Sequence, residues 1–144
     1  MLMGRLLAID YGRRRFGLAV TERLRIAANP LETVPTGRLE TFLREYMAAE
    51  KVDAIVVGQP RTMSGADSES MRYIRPAVER LHRLFPGLEI ILWDERFTSV
   101  LAHRSMLDGG MHRMARRDKA TVDRTAAAII LNDYLQSKSY SDNR

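Results

Sequence analysis

Leu6–Val20 reads LLAIDYGRRRFGLAV. Two short apolar runs, Leu6 to Asp10 and Phe16 to Val20, are joined by a turn carrying Gly12 and three consecutive arginines, so the stretch reads as an antiparallel hairpin. Beyond Val20, a third extended segment is expected within Ile26 to Val34, where Pro30 confines it to an edge or a strand end. After Pro35 and Gly37, the spacing of Leu39, Phe42, Leu43, Tyr46 and Met47 predicts an amphipathic helix. Ala54 to Val57 is a continuous apolar run ended by Gly58, the pattern of a central strand buried on both faces.

A loop over Gly58 to Ser68 leads into a second helix with Met71, Ile74, Val78, Leu81 and Phe85 in register. Pro76 should kink this helix or delay its regular start, and Pro86 and Gly87 stop it. Leu88 to Trp93 reads as another buried strand. Phe97 to Leu107 reads as a helix ending at Gly109 and Gly110, followed by a basic, methionine-rich linker to Asp118. A long alanine-rich helix is expected over roughly Ala120 to Leu135, with a frayed tail from Ser137. The order predicts an α/β domain over residues 1–136 and a flexible tail over 137–144. Its mixed sheet carries helices on both faces, with the first strand antiparallel to the second and parallel to the fourth and fifth. Right-handed crossovers gather the carboxyl ends of those parallel strands at one edge.

The 144 residues suit one ordinary domain, and no apolar run approaches the ~20 residues of a membrane span. The amino terminus lacks the pattern of a signal peptide, so a cytoplasmic location without membrane attachment is expected. Without cysteine there are no disulfides, thiolate metal sites or cysteine nucleophiles, which leaves carboxylates and histidines as metal ligands. The net charge of +5 comes mostly from arginine, whose planar fork suits phosphate. It leans towards nucleic acid, although a solubilising surface explains the charge equally well.

Asp10 ends an apolar strand, where it reads either as a cap of the Gly12 turn or as a ligand whose burial a cation offsets. Asp94 and Glu95 repeat the pattern after Ile90 to Trp93. Side chains alternate along a strand, so these two face opposite ways and only one need enter a site; helix capping is the alternative. Asp123 joins the stripe of Ala127, Ile130 and Tyr134 on its helix, and Ala126 and Ala127 would let that helix approach the sheet closely. Pairing with Lys119 is the plainer role for Asp123. Three acids converging on one sheet edge suit Mg2+ or Mn2+. Two such ions about 4 Å apart can serve the attacking and leaving oxygens of a phosphodiester.

The sequence resembles the YqgF family of RNase H-like proteins, also described as Holliday-junction-resolvase-like and as pre-16S rRNA nucleases. The likeness rests on Ala8 to Gly12 with Arg15 to Ala19, on Val57 to Pro60 with Gly65, on Asp94 to Ser99, and on Lys119, Val122, Asp123, Ala126 and Ala127. It implies an RNase H-like fold with a mixed five-stranded sheet, in which Asp10, Glu95 and Asp123 are the catalytic, metal-holding acids and Asp94 a weaker fourth candidate. It implies a metal-dependent endonuclease acting on structured RNA or branched DNA, with processing of the 5′ end of precursor 16S rRNA in ribosome biogenesis as the leading role. Holliday-junction resolution and a non-catalytic RNA-binding assembly factor are the alternatives. Departures are Gln59 before Pro60, the stretch Thr62 to Ser64, Thr21 and Glu22 where Ser-Asp is more typical, and Pro76; all bear on substrate contacts rather than on the acids.

Arg13, Arg14 and Arg15 follow Asp10 directly, Arg96 follows the acid pair, and Arg113, Arg116, Arg117 and Lys119 crowd the approach to Asp123. These are the expected phosphate contacts, with solvated basic loops as the plain alternative. His82, His103 and His112 show no metal spacing. Tyr11 could stack on a base but reads first as packing. The opening also resembles the phosphate loop of actin-like ATPases and sugar kinases, but those folds need two lobes and the chain is too short. A monomer or weak homodimer is expected.

Overall fold

A computed structural model describes residues 3–62, 64–95 and 119–142. Five strands, β1 (Arg5–Tyr11), β2 (Arg15–Thr21), β3 (Ala28–Pro35), β4 (Val52–Gln59) and β5 (Glu89–Asp94), form one sheet in the order β3-β2-β1-β4-β5. β1 is antiparallel to β2 and parallel to β4, and β4 is parallel to β5, as the sequence order demands. β3 is an edge strand in which Pro30 lies opposite Ala19, beside a register irregularity, so its missing N–H breaks no interior ladder.

The two faces of the sheet differ in side-chain size, because alternation along each strand sends large residues one way and small ones the other. Leu7, Ile9, Leu18, Ile55 and Val57 pack beneath α1 (Leu39–Ala49) and α2 (Met71–Leu84), meeting Leu43, Ile74 and Leu81. Ala8, Ala19, Ala54 and Val56 face α3 (Lys119–Asp142), which answers with Ala126, Ala127, Ile130 and Leu131. Small residues on both sides bring the axis of α3 close to the sheet. The architecture is α/β, a mixed five-stranded sheet with helices on both faces.

Three expectations are corrected. β5 is only partly buried, with Leu92 substantially exposed, because it lies at the edge of the described sheet rather than in its middle. α2 starts at Met71 with no delay, and Pro76 is accommodated inside it, removing only the donor that would have bonded the Arg72 carbonyl. α3 continues past Leu135 to Asp142, since polar Gln136 to Asp142 extend the helix beyond the end of its apolar stripe. The helix expected over Phe97 to Leu107 and the basic linker after it lie outside the described residues. No helix of the described residues is long and apolar enough to cross a membrane.

Candidate active site

Asp10 is the penultimate residue of β1 and faces Gly17 across the hairpin. Gly17 is where α3 crosses closest: a Cβ there would stand 2.0 Å from the Asp123 carbonyl oxygen, so the sheet has room for the helix only because residue 17 has no side chain. Asp123 is thereby delivered next to the end of β1. Glu95 follows β5, and its carboxylate lies over a second bare position, Gly58 of β4, whose Cβ would come 2.6 Å from Glu95 Oε1 and 2.8 Å from Ile130 Cδ1. Two glycines thus make the space in which a carboxylate from a strand end and the backbone of the acid-bearing helix settle onto the sheet.

The result is a cleft of about 260 Å³ at the carboxyl ends of β1, β4 and β5, lined by Asp10, Glu95 and Asp123 together with Gly12, Ser70 and Tyr73. Glu95 is buried at 1% exposure, whereas Asp10 and Asp123 are half-buried and open to the cleft. Arg15 brings its Nε to 3.3 Å from Asp123 Oδ2, a cation held against the acid set. Among the described residues, no three Asp, Glu, His or Cys side chains close into a common metal cage. The three acids share the cleft as an open set.

Asp94 takes no part in that lining. It faces the other way, as strand alternation requires, with Oδ2 3.8 Å from Arg61 Nε. Arg61 Nη2 donates to Gln59 Oε1 at 3.4 Å, Gln59 Nε2 donates to Asp67 Oδ1 at 3.4 Å, and Arg75 Nε donates to Asp67 Oδ2 at 3.1 Å. The Arg75 hydrogen bond holds the Asp67 carboxyl below its usual range. With the Arg61↔Asp67 bridge and the Thr62 N–H bonded to the Ala66 carbonyl, this chain of contacts ties the loop after β4 to α2 and to the end of β5. Asp94 thus lies in this network and outside the lining of the cleft.

Of the basic residues nominated from the sequence, Arg15 meets Asp123 and Arg13 lines a neighbouring cavity, while Arg14 is exposed on the turn. Arg96, Arg113, Arg116 and Arg117 lie outside the described residues, as does the Lys119 side chain. Sequence reasoning passed over Arg61, Ser70 and Tyr73. Arg61 carried a signal in its position two residues after the end of an apolar strand; Ser70 and Tyr73 carried none.

A family model described as RuvX, Holliday junction resolvase, matches residues 4–137. The chain belongs to the RuvX family. Within it, a Porphyromonas gingivalis protein named "Putative pre-16S rRNA nuclease" is 53% identical over 135 residues, covering 94% of this chain and 98% of the relative. A Phocaeicola vulgatus protein of the same name is 51% identical over 138 residues, covering 96% and 99%. The solved structure of T. thermophilus RuvC in complex with a Holliday junction substrate superposes with a TM-score of 0.55 at 16% identity, covering 94% of this RuvX-family chain and 96% of RuvC. That likeness establishes the shared fold.

Proposed function

We propose that this chain is a metal-dependent endonuclease of structured nucleic acid that trims the 5′ end of precursor 16S rRNA in the cytoplasm, with Asp10, Glu95 and Asp123 as its metal-holding acids. The observation that carries the reading is the meeting of three carboxylates from β1, the end of β5 and α3 in one cleft, two of them open to it. The donor set fits a hard divalent cation. All three donors are carboxylates, and Glu95 is seated over a glycine that any Cβ would fill. An open set also suits magnesium, which shares its shell between one or two carboxylates, waters and substrate phosphate. When bound, Mg2+ or Mn2+ would supply an activated water and stabilisation of the leaving oxygen.

The chain's own residues do the rest. Asp10 and Asp123 present oxygens at the cleft, and buried Glu95 fixes its carboxylate without solvent freedom. Arg15 orients Asp123 and balances acid charge, and Arg13 stands at the rim of the adjoining cavity for a neighbouring phosphate. Arginine contacts to the backbone position a substrate without reading its sequence, so affinity should fall steeply with salt.

The names carried by the relatives support precursor rRNA as substrate. The family description supports branched DNA as the second reading. The test runs both substrates in parallel with Mg2+ or Mn2+. Cleavage of precursor rRNA should be lost in Asp10→Asn and Asp123→Asn while binding persists. Undiminished cutting by those variants overturns the mechanism, and cutting of the branched DNA alone transfers the activity to the second reading.

A further inference from the structure

Tyr11 ends β1 on the face opposite Asp10. Its ring is committed to packing: it meets Phe16 edge to face at 4.7 Å and is 7% exposed. Stacking on a base is therefore not its role. Its hydroxyl is another matter, since it is buried and has no hydrogen-bond partner among the described residues. A phenol O–H can both donate and accept a hydrogen bond. A buried hydroxyl without a partner is destabilising, a cost that a hydrogen-bonding ligand would remove.

The space around Tyr11 supplies room for one. A cavity of about 280 Å³ is lined by Tyr11, Phe16, Thr36, Tyr73 and Ala77 with Arg13. It shares Tyr11, Phe16, Thr36 and Ala77 with a second cavity of about 350 Å³ that reaches Leu81 and Leu84. An apolar cavity of about 150 Å³ suffices for benzene, so either space admits a bicyclic ring. The same cavity shares Tyr11, Gly12 and Tyr73 with the acidic cleft. A flat ligand with apolar faces, a hydrogen-bonding edge and an attached phosphate matches these walls, this hydroxyl and this arginine. Among the parts of a nucleic acid, that is an unstacked base with its phosphate.

We infer that the Tyr11 cavity receives one unpaired nucleobase of the strand being cut, its polar edge hydrogen-bonded to the Tyr11 hydroxyl, and that this base selects which phosphodiester enters the cleft. The inference rests on the endonuclease reading above. It gives the family's acid site a neighbouring subsite on the other face of the sheet, reached over Gly12.

The experiment uses the full chain, without divalent metal so that nothing is cut, and stem–loop RNAs carrying a single 2-aminopurine scanned through the unpaired positions. One position should show a several-fold change in fluorescence on binding, and an abasic substitution there should weaken binding about tenfold. Tyr11→Phe, which keeps the ring and its Phe16 contact, should weaken binding by a similar factor, and combining it with the abasic RNA should add nothing further. Ala77→Met, which fills the cavity from α2, should suppress the fluorescence change. Cleavage with Mg2+ should then spread to neighbouring phosphodiesters in both variants. If RNA binds with no position responding, or if the Tyr11→Phe and abasic losses are additive, the subsite is overturned while the nuclease reading stands. If Asp10→Asn cuts as fast as the parent, the nuclease reading falls on its own evidence.

Discussion

Replacing Gly17 by alanine tests whether the close approach of α3 is what assembles the acid set. The added Cβ would lie 2.0 Å from the Asp123 carbonyl oxygen and 2.2 Å from its carbonyl carbon, against 3.4 Å for ordinary contact, so the helix must retreat by about 1.4 Å. The obstruction is backbone, which cannot rotate aside as a side chain does. Overpacking of this kind costs typically 1–3 kcal/mol and here belongs at the upper end, about 3 kcal/mol, because lifting α3 also loosens Ala126, Ala127 and Ile130 from the sheet. For a domain of this size that lowers Tm by roughly 10 °C. Gly37→Ala is the control: nothing lies within 4 Å of its added Cβ, and the change should stay within about 0.5 kcal/mol. Urea denaturation of the two variants gives the difference directly. Metal-dependent cleavage by Gly17→Ala, measured where it is still folded, should drop at least tenfold as Asp123 is displaced. A loss below about 1 kcal/mol, or full activity at normal stability, would refute the argument that this contact sets the site.

Three further outcomes follow from contacts elsewhere. The Leu6 N–H donates to the buried Thr21 Oγ1 at 3.0 Å, so Thr21→Val should cost about 1–3 kcal/mol by orphaning that donor, and Thr21→Ser only about 1 kcal/mol; the reverse order in chemical denaturation would contradict the role. The raised ionisation of Tyr11 means stability is intact below the ordinary value of 10.0 and declines as pH rises above it, towards the folded-state value. Tyr11→Phe should flatten that decline, as alkaline denaturation curves will show. The Arg75 hydrogen bond lowers the Asp67 carboxyl below its ordinary 3.8, so the pair's contribution is complete above that pH and disappears as pH falls through the lower folded-state value. Asp67→Asn should lose this part of the acid dependence, read from denaturation midpoints between neutral and strongly acidic pH.

The order and pairing of strands were legible because hydrophobic periodicity and the Gly12 turn act locally. The runs at Leu6, Phe16 and Ala54 became adjacent strands, as their patterns required. The depth of β5 was not legible, since an apolar run looks alike whether it ends at the edge or in the middle of a sheet. Alternation foretold that Asp94 and Glu95 would part; which of them entered the cleft depended on the face that α3 covers, a tertiary fact. Asp123 stood out because it interrupts an otherwise apolar stripe. The hold of Arg15 on it could not be read, because the two residues lie far apart in sequence and meet only once α3 lies across β2. Tyr11 was legible as packing, and the isolation of its hydroxyl emerged only from the cavity around it.

The alanine-floored seat of α3 also bears on how the protein is made. Domains generally consolidate as they emerge from the ribosome, amino-terminal part first. By residue 95 all five strands, α1 and α2 have been synthesised, and the large-residue core on one face can close. Among the described elements only α3 covers the opposite face, with Ala8, Ala19, Ala54 and Val56, and until α3 is made the acid cleft lacks Asp123. With Asp123 one of the proposed metal-holding acids, a chain terminated before α3 would be inert as well as adhesive: the translation apparatus would not be exposed to a half-finished cutting tool, and quality control would have an apolar surface by which to seize the fragment.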